Sequence, residues 1–249
     1  EAVKDGNNLI AADELTLDIE PEQSKTFDID FKIPDGSCDC HINVYYYAGE
    51  DEIAFEQHAV KEEYVCESAT ESGNISVDTT ATTCKLSFGD GSVTFSPLSG
   101  EMTSYIHPGK EHVNQSPAAF KGFLPNIYRA YLDNDTHYRD KWIAAGYDDY
   151  ACVCNKFDAS VDDGKAVVTV DYRLKSAKSI RPLGKVKIVY NVYANGVIDV
   201  KALFEPVSHK LLAAHMPRFG LTLEMPECFG NVQYYGMGKE ENLSDLYAQ

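Results

Sequence analysis

Apolar residues recur at every second position along most of the 249-residue chain, and that period fixes the class of fold before any single residue is weighed. Leu15, Leu17 and Ile19 share one parity, then Phe27, Ile29, Phe31 and Ile33, then Ile42, Val44 and Tyr46. Successive side chains of a strand point to opposite faces, so each run can bury one face of a sheet. Pro21 and Pro34-Asp35-Gly36 punctuate these runs. Leu86 and Phe88 alternate into Gly89-Asp90-Gly91, a turn from which Val93 and Phe95 return. Then come "AVVTVDYRLK", "KVKIVYNVYANGVIDVKALF", with Asn195-Gly196 predicted as a type I′ turn, and "FGNVQYYGMG". The pattern predicts an all-β chain. A partial antiparallel sandwich of immunoglobulin type is expected over 1–66, a small, polar linker over 67–75, and a larger antiparallel sandwich over 76–249.

One helix is predicted to interrupt the second sandwich. Asp135 or Thr136 can cap its start, Tyr138, Trp142 and Ala145 fall on one face, and Gly146 can close its end. The stretch before it, "IYRAYLDNDTH" from Ile127 to His137, gathers Asp133, Asn134 and Asp135 where the helix begins, which suits the helix dipole. That leaves Arg129 unexplained.

The formal net charge of -17 arises from 39 acidic against 22 basic residues. Nucleic-acid binding needs clustered Lys and Arg, and an anionic membrane surface repels such a chain, so neither is an expected partner; a neutral ligand is compatible. No apolar run approaches the roughly 20 residues of a membrane span, and the first residues show no charged n-region followed by an apolar h-region, so a secretory signal is not expected. Seven cysteines cannot all pair within one chain, and Cys38/Cys40 and Cys152/Cys154, spaced i, i+2, read as buried thiols in a cytoplasmic protein rather than a zinc site. Without a leader, the sequons at Asn74, Asn114, Asn134 and Asn242 read as chance matches. The opening "EAVKDGNNLI" reads as a strand end entering an Asp5-Gly6 turn, so the chain is expected to be a piece of a longer one.

Four ordered motifs carry a resemblance. Arg129, Ala130, Asp133, Asn134 and Asp135 form the first, Trp142, Ala145 and Gly146 the second, Pro217, Arg218 and Gly220 the third, and Gly236, Gly238, Glu241, Asn242 and Asp245 the last. Together they resemble the C-terminal small-chain domain of β-galactosidases in glycoside hydrolase family 2. Tyr131 stands where that pattern has proline, and Lys239, Leu243 and Leu246 replace its proline, tyrosine and arginine. Residues 1–66 are similar to the late strands of the immunoglobulin-like domain that precedes the small-chain domain in these enzymes. The resemblance implies that the larger sandwich has the galactose mutarotase fold and is truncated at its C-terminus. It implies a parent that hydrolyses terminal β-galactosides with retention on an upstream barrel, with Mg²⁺ and Na⁺ held there and none in this chain. The expected partners are that barrel, in the same polypeptide or in a large subunit, the galactoside substrate, and further copies of the parent in a homo-oligomer.

No catalytic residue is assigned here, because retaining hydrolysis needs two carboxyl groups roughly 5 Å apart and no pair among the 39 acids stands out. The stretch Gly100 to Gly109, "GEMTSYIHPG", reads as a loop hinged at glycines; by the resemblance it reaches toward substrate, with Tyr105 or His107 as the contact, and a plain surface hairpin is the alternative. Arg129, Asp133, Asn134 and Asp135 read either as a structural ion-pair and capping network or as a contact to the barrel, the network being favoured. Gly236, Gly238, Glu241 and Asn242 read as a tight turn, and His209 and His215 as satisfied or exposed side chains rather than ligands. Two other classes compete with the reading of a non-catalytic buttress: a free-standing carbohydrate-binding module and an aldose 1-epimerase.

Overall fold

The computed structural model describes residues 1–5, 8–29, 31–36, 38–63, 73–107, 121–206, 215–227, 230–232 and 234. They fall into two compact units, the first within residues 1–68 and 232–249 and the second within 69–231. The chain is all-β, with three antiparallel sheets and one α-helix among the described residues.

The first unit is a four-stranded sheet ordered β2-β1-β3-β4, from β1 (Ala2–Lys4), β2 (Asn8–Ala11), β3 (Asp39–Ala48) and β4 (Asp51–Glu62). Asp5, at φ 48°, leaves β1 where the turn was expected; its N–H donates to Asp39 O at 2.9 Å, and Asp39 N–H donates to Asp5 Oδ1 at 3.0 Å. Cys38 and Cys40 are buried beside this link. Tyr45 and Phe55 face each other across β3 and β4, ring centroids 5.0 Å apart. The strands expected over 15–19 and 27–33 are not there: described residues 12–36 form no strand, and Leu15, Leu17, Ile19, Ile29 and Ile33 are exposed. Alternation records which face a strand would bury, but a strand also needs a neighbouring ladder, and the sheet described here is made by other residues.

The second unit packs two sheets. One is ordered β14-β9-β8-β7-β6-β5, from β5 (Ile75–Thr79), β6 (Cys84–Phe88), β7 (Gly91–Phe95), β8 (Met102–Ile106), β9 (Lys121–Asn126) and β14 (Gly220–Glu224). The other is ordered β10-β11-β12-β13, from β10 (Tyr150–Asp162), β11 (Lys165–Ser176), β12 (Gly184–Val192) and β13 (Ile198–Pro206). The β6-β7 turn falls at Gly89-Asp90, as the sequence predicts, with Gly89 at φ 58°. Antiparallel register sets Val168 opposite Tyr190, Val170 opposite Ile188 and Tyr172 opposite Val186, so one face of β11 and β12 is buried throughout. Leu86, Phe88, Val93 and Phe95 join the same core, and Phe95 meets Tyr190 edge-on at 5.0 Å. Each such side chain stabilises the fold by about 1.5–3 kcal/mol. The hydroxyls of Tyr172 and Tyr190 are buried without a hydrogen-bond partner among the described residues, and burial raises both pKa values.

The β12-β13 connection corrects the predicted type I′ turn. Gly196 N–H donates to Tyr193 O and Tyr193 N–H to Val197 O, and only Gly196, at φ 88°, is left-handed. A type I′ turn needs both central residues there; Asn195 instead accepts Val197 N–H on its Oδ1 at 3.2 Å, giving a longer turn closed by Gly196. The expected linker lies largely outside the described residues, as does most of "FGNVQYYGMG".

Candidate functional site

After β9 the chain is pinned from below. Ile127 N–H donates to Tyr150 Oη at 3.1 Å, and the Tyr150 hydroxyl donates to Pro125 O at 2.9 Å. This delivers Arg129 to Asp135 in a two-pronged pair, Nη1 to Oδ2 at 2.6 Å and Nη2 to Oδ1 at 3.1 Å. The planar guanidinium matches the carboxylate edge, a geometry a lysine cannot copy. Nη1 also donates to Ala130 O at 2.9 Å, and Nε to Pro217 O at 3.1 Å.

Asp135 Oδ2 accepts Leu132 N–H at 2.7 Å as well, closing the 3₁₀ turn Asp133–Asp135. The carboxylate therefore does not cap the α-helix. That helix, α1 (Arg139–Ala145), starts at Tyr138 with no side-chain cap, and Thr136 donates its hydroxyl to Asp133 O instead. The reason is competition: a carboxylate six residues from an arginine gains more from two charge-assisted bonds than from one backbone N–H. The predicted closing residue is in place, with Gly146 at φ 87° accepting the role of left-handed terminator.

The helix carries buried Trp142 beneath the pair, its ring 5.8 Å from Arg129 Cζ. Trp142 Nε1–H donates to His215 O at 2.8 Å, and Tyr138 stacks on Trp142 at 6.2 Å while meeting the His215 ring edge-on at 4.8 Å. One node thus joins the first three motifs, which lie far apart in sequence. The hydrogen bonds that link His215 and Pro217 to the node are accepted by backbone carbonyls, which carry no residue signature; the Pro217-Arg218 motif and His215 marked the neighbourhood beforehand without those bonds.

The electrostatics suit holding rather than reacting. Hydrogen bonds from Arg129 and from Leu132 N–H keep the Asp135 carboxyl below its usual range, so it is ionised at neutral pH. The Asp133 and Asn134 side chains are exposed and lie outside the pair.

The stretch from Gly100 is strand for half its length, as β8 pairs with β7 through Ser92–Ile106, Val93–Tyr105 and Thr94–Ser104. Tyr105 is part-buried and donates its hydroxyl to Gly196 O at 2.8 Å; burial raises its pKa. His107 follows at the strand exit, edge-on to Tyr105 at 6.2 Å. Gly100 sits at φ 77° against the core, where a Cβ would lie 2.5 Å from Val170 Cγ1 and 2.6 Å from the Tyr172 hydroxyl. Gly109, Gly236, Gly238, Glu241 and Asn242 lie outside the described residues. Among the described residues, no group of three or more His, Cys, Asp or Glu side chains is placed to hold a metal ion, and no helix is long and apolar enough to cross a membrane.

The family described as the β-galactosidase small chain matches residues 88–248, a span that contains the whole node, and the chain belongs to that family. It is similar to a β-galactosidase of Halalkalibacterium halodurans, 25% identical over 199 residues that make up 78% of this chain and 18% of that protein. A β-galactosidase of Staphylococcus xylosus is 26% identical over 199 residues, 79% of this chain and 19% of that protein. One of Streptococcus thermophilus is 24% identical over 245 residues, 95% of this chain and 22% of that protein. The chain spans about a fifth of the length of these curated relatives.

Proposed function

We propose that this chain is a non-catalytic C-terminal portion of a β-galactosidase that cleaves terminal β-galactosides with retention. The observation that carries the reading is the small-chain match over 88–248 combined with coverage of only about a fifth of each relative. The antiparallel architecture supports it, because a (β/α)₈ barrel of the kind that holds the two carboxylates is built from parallel strands alternating with helices. In this reading the Arg129 node is a rigid buttress for that barrel, in the same polypeptide or a large subunit, and the parent is a cytoplasmic homo-oligomer. The Mg²⁺ and Na⁺ ions belong to the barrel. In this reading Tyr105 or His107, at the end of β8, is the contact to the galactoside.

The test is to assay hydrolysis of a chromogenic β-galactoside by this chain alone, by the upstream portion alone, and by the two mixed. The chain alone is expected to be inactive and the mixture, or the continuous polypeptide, active. Turnover by the purified chain alone would overturn the reading.

A further inference from the structure

Two parts of the chain each lack what the other offers. Residues 14–20 alternate as a strand does, with Glu14, Asp18 and Glu20 on one parity and Leu15, Leu17 and Ile19 on the other, yet they form no strand and lie exposed. From Asp13 to Glu22 there are five carboxylates and no Lys or Arg. The segment thus carries an apolar side, an acidic side and a backbone without a ladder.

Strand β13 is the complementary case. It ends its sheet among the described residues, so one row of its N–H and C=O groups faces no neighbouring strand, an arrangement that templates the addition of another. On its core side, Val200, Ala202 and Phe204 are only half-buried, whereas their register partners on β12, Tyr190, Ile188 and Val186, are fully buried. The apolar layer runs out at this edge. The outer side is basic. Lys201 on β13 and Lys187 on β12 are exposed there, and Arg173 lies directly opposite Lys185, a like-charge pairing that costs stability unless an anion offsets it. The carboxylates on that side are Asp171, Glu205 and Asp199, which accepts the Tyr193 hydroxyl at 3.0 Å; none of them is ion-paired with these four cations. The other long edge strand, β4, exposes Asp51, Glu52, Glu56 and Glu62, which would repel an acidic segment.

We propose that residues 14–20 of a second copy add as a strand to the free edge of β13, with Leu15, Leu17 and Ile19 covering Val200, Ala202 and Phe204 and the carboxylates turned toward Lys187 and Lys201. This gives the homo-oligomer of the reading above a surface and rests on that reading to that extent. It is tested on the chain itself, so its failure leaves the hydrolysis test standing.

The test is sedimentation velocity of the full chain over a range of concentrations at about 0.15 M salt, where repulsion between two chains of charge -17 is screened beyond roughly 8 Å. Concentration-dependent association is expected. It should weaken by roughly tenfold or more in Leu17→Asp, in Asp18→Lys with Glu20→Lys, and in Lys187→Glu with Lys201→Glu. These positions are all exposed, so each variant should melt like the unaltered chain. Mixing the two charge-reversed variants should restore association, because each then presents the charge that the other's surface needs. Amide exchange in β13 should slow as the complex forms. A chain that stays monomeric overturns the proposal. So does association that the variants leave unchanged, that mixing fails to restore, or that leaves β13 exchange as fast as before. A monomer that binds a DNA duplex through Lys187 and Lys201 would also overturn it, by giving the basic side to a polyanion.

Discussion

At the scale of single residues, Arg129 and Asp135 form a charge pair whose worth depends on pH. The Asp135 carboxyl titrates below its ordinary value of 3.8 in the folded chain, so its stabilising contribution is complete above that value and disappears as pH falls through the lower folded one. Thermal melts across the acid range should therefore show Asp135→Asn less stable near neutrality and with a shallower acid limb; an acid limb of unchanged steepness would remove Asp135 from the account. Arg129→Lys should also lower the melting temperature at neutral pH, because a lysine cannot make the two-pronged contact or reach Pro217 O at the same time. Thiols and phenols act at the other end of the scale. Burial, reinforced by Glu101, pushes the Cys152 thiol from 9.0 up to about 11. Burial also raises Tyr147, Tyr150, Tyr172 and Tyr190. For a group whose folded value is raised, stability is complete below the unfolded value and is lost as pH climbs toward the folded one. The Cys152 contribution should then fade between pH 9.0 and about 11, and the thiol should resist alkylation at neutral pH until the chain is unfolded. Fast labelling in the folded state would contradict this.

At the scale of elements, α1 joins the node to the sandwich through one indole. Trp142→Ala should cost about 3–5 kcal/mol by leaving a cavity under the guanidinium, whereas Trp142→Phe should cost less, keeping the ring but losing the bond of about 1 kcal/mol to His215 O. Chemical denaturation of both variants decides it, and equal losses would mean the indole N–H carries the effect. Gly100 is the second lever. A methyl there meets Val170 and Tyr172 in a left-handed backbone, so Gly100→Ala should destabilise by about 1–3 kcal/mol. These elements were unequally legible. The helix face of Tyr138 and Trp142, the Gly146 stop, the Gly89-Asp90 turn and the strands β11 and β12 all follow from local pattern, because period and turn chemistry are local properties. The node was half legible: Arg129, Asp135 and Trp142 stand out, but the carbonyl of Pro217 that accepts from Arg129 and the carbonyl of His215 that accepts from Trp142 are set by folding rather than by residue type. Residues 15–33 alternate as strands do, yet the described ones among them form no strand, since period cannot report whether a ladder is available.

At the scale of the whole molecule, the chain's charge, sheets and motif order fit the role proposed for it, an acidic β module of a longer glycosidase. Chelation separates the module from the chemistry proposed for the barrel. A chelator should abolish galactoside hydrolysis by the parent while leaving the melting temperature of this chain unchanged, and a lowered melting temperature of the chain would place a structural metal here instead. The central claim is that the chain works as part of a longer enzyme, and the size of the native polypeptide addresses it most directly. Extract from source cells should be fractionated and probed with an antibody raised against this chain, alongside an assay for β-galactosidase. The account predicts a species several times larger than 27.6 kDa, as one polypeptide or as a tight complex with a barrel subunit, co-migrating with the activity. A free species of this chain's own size, with all activity migrating elsewhere, would contradict it.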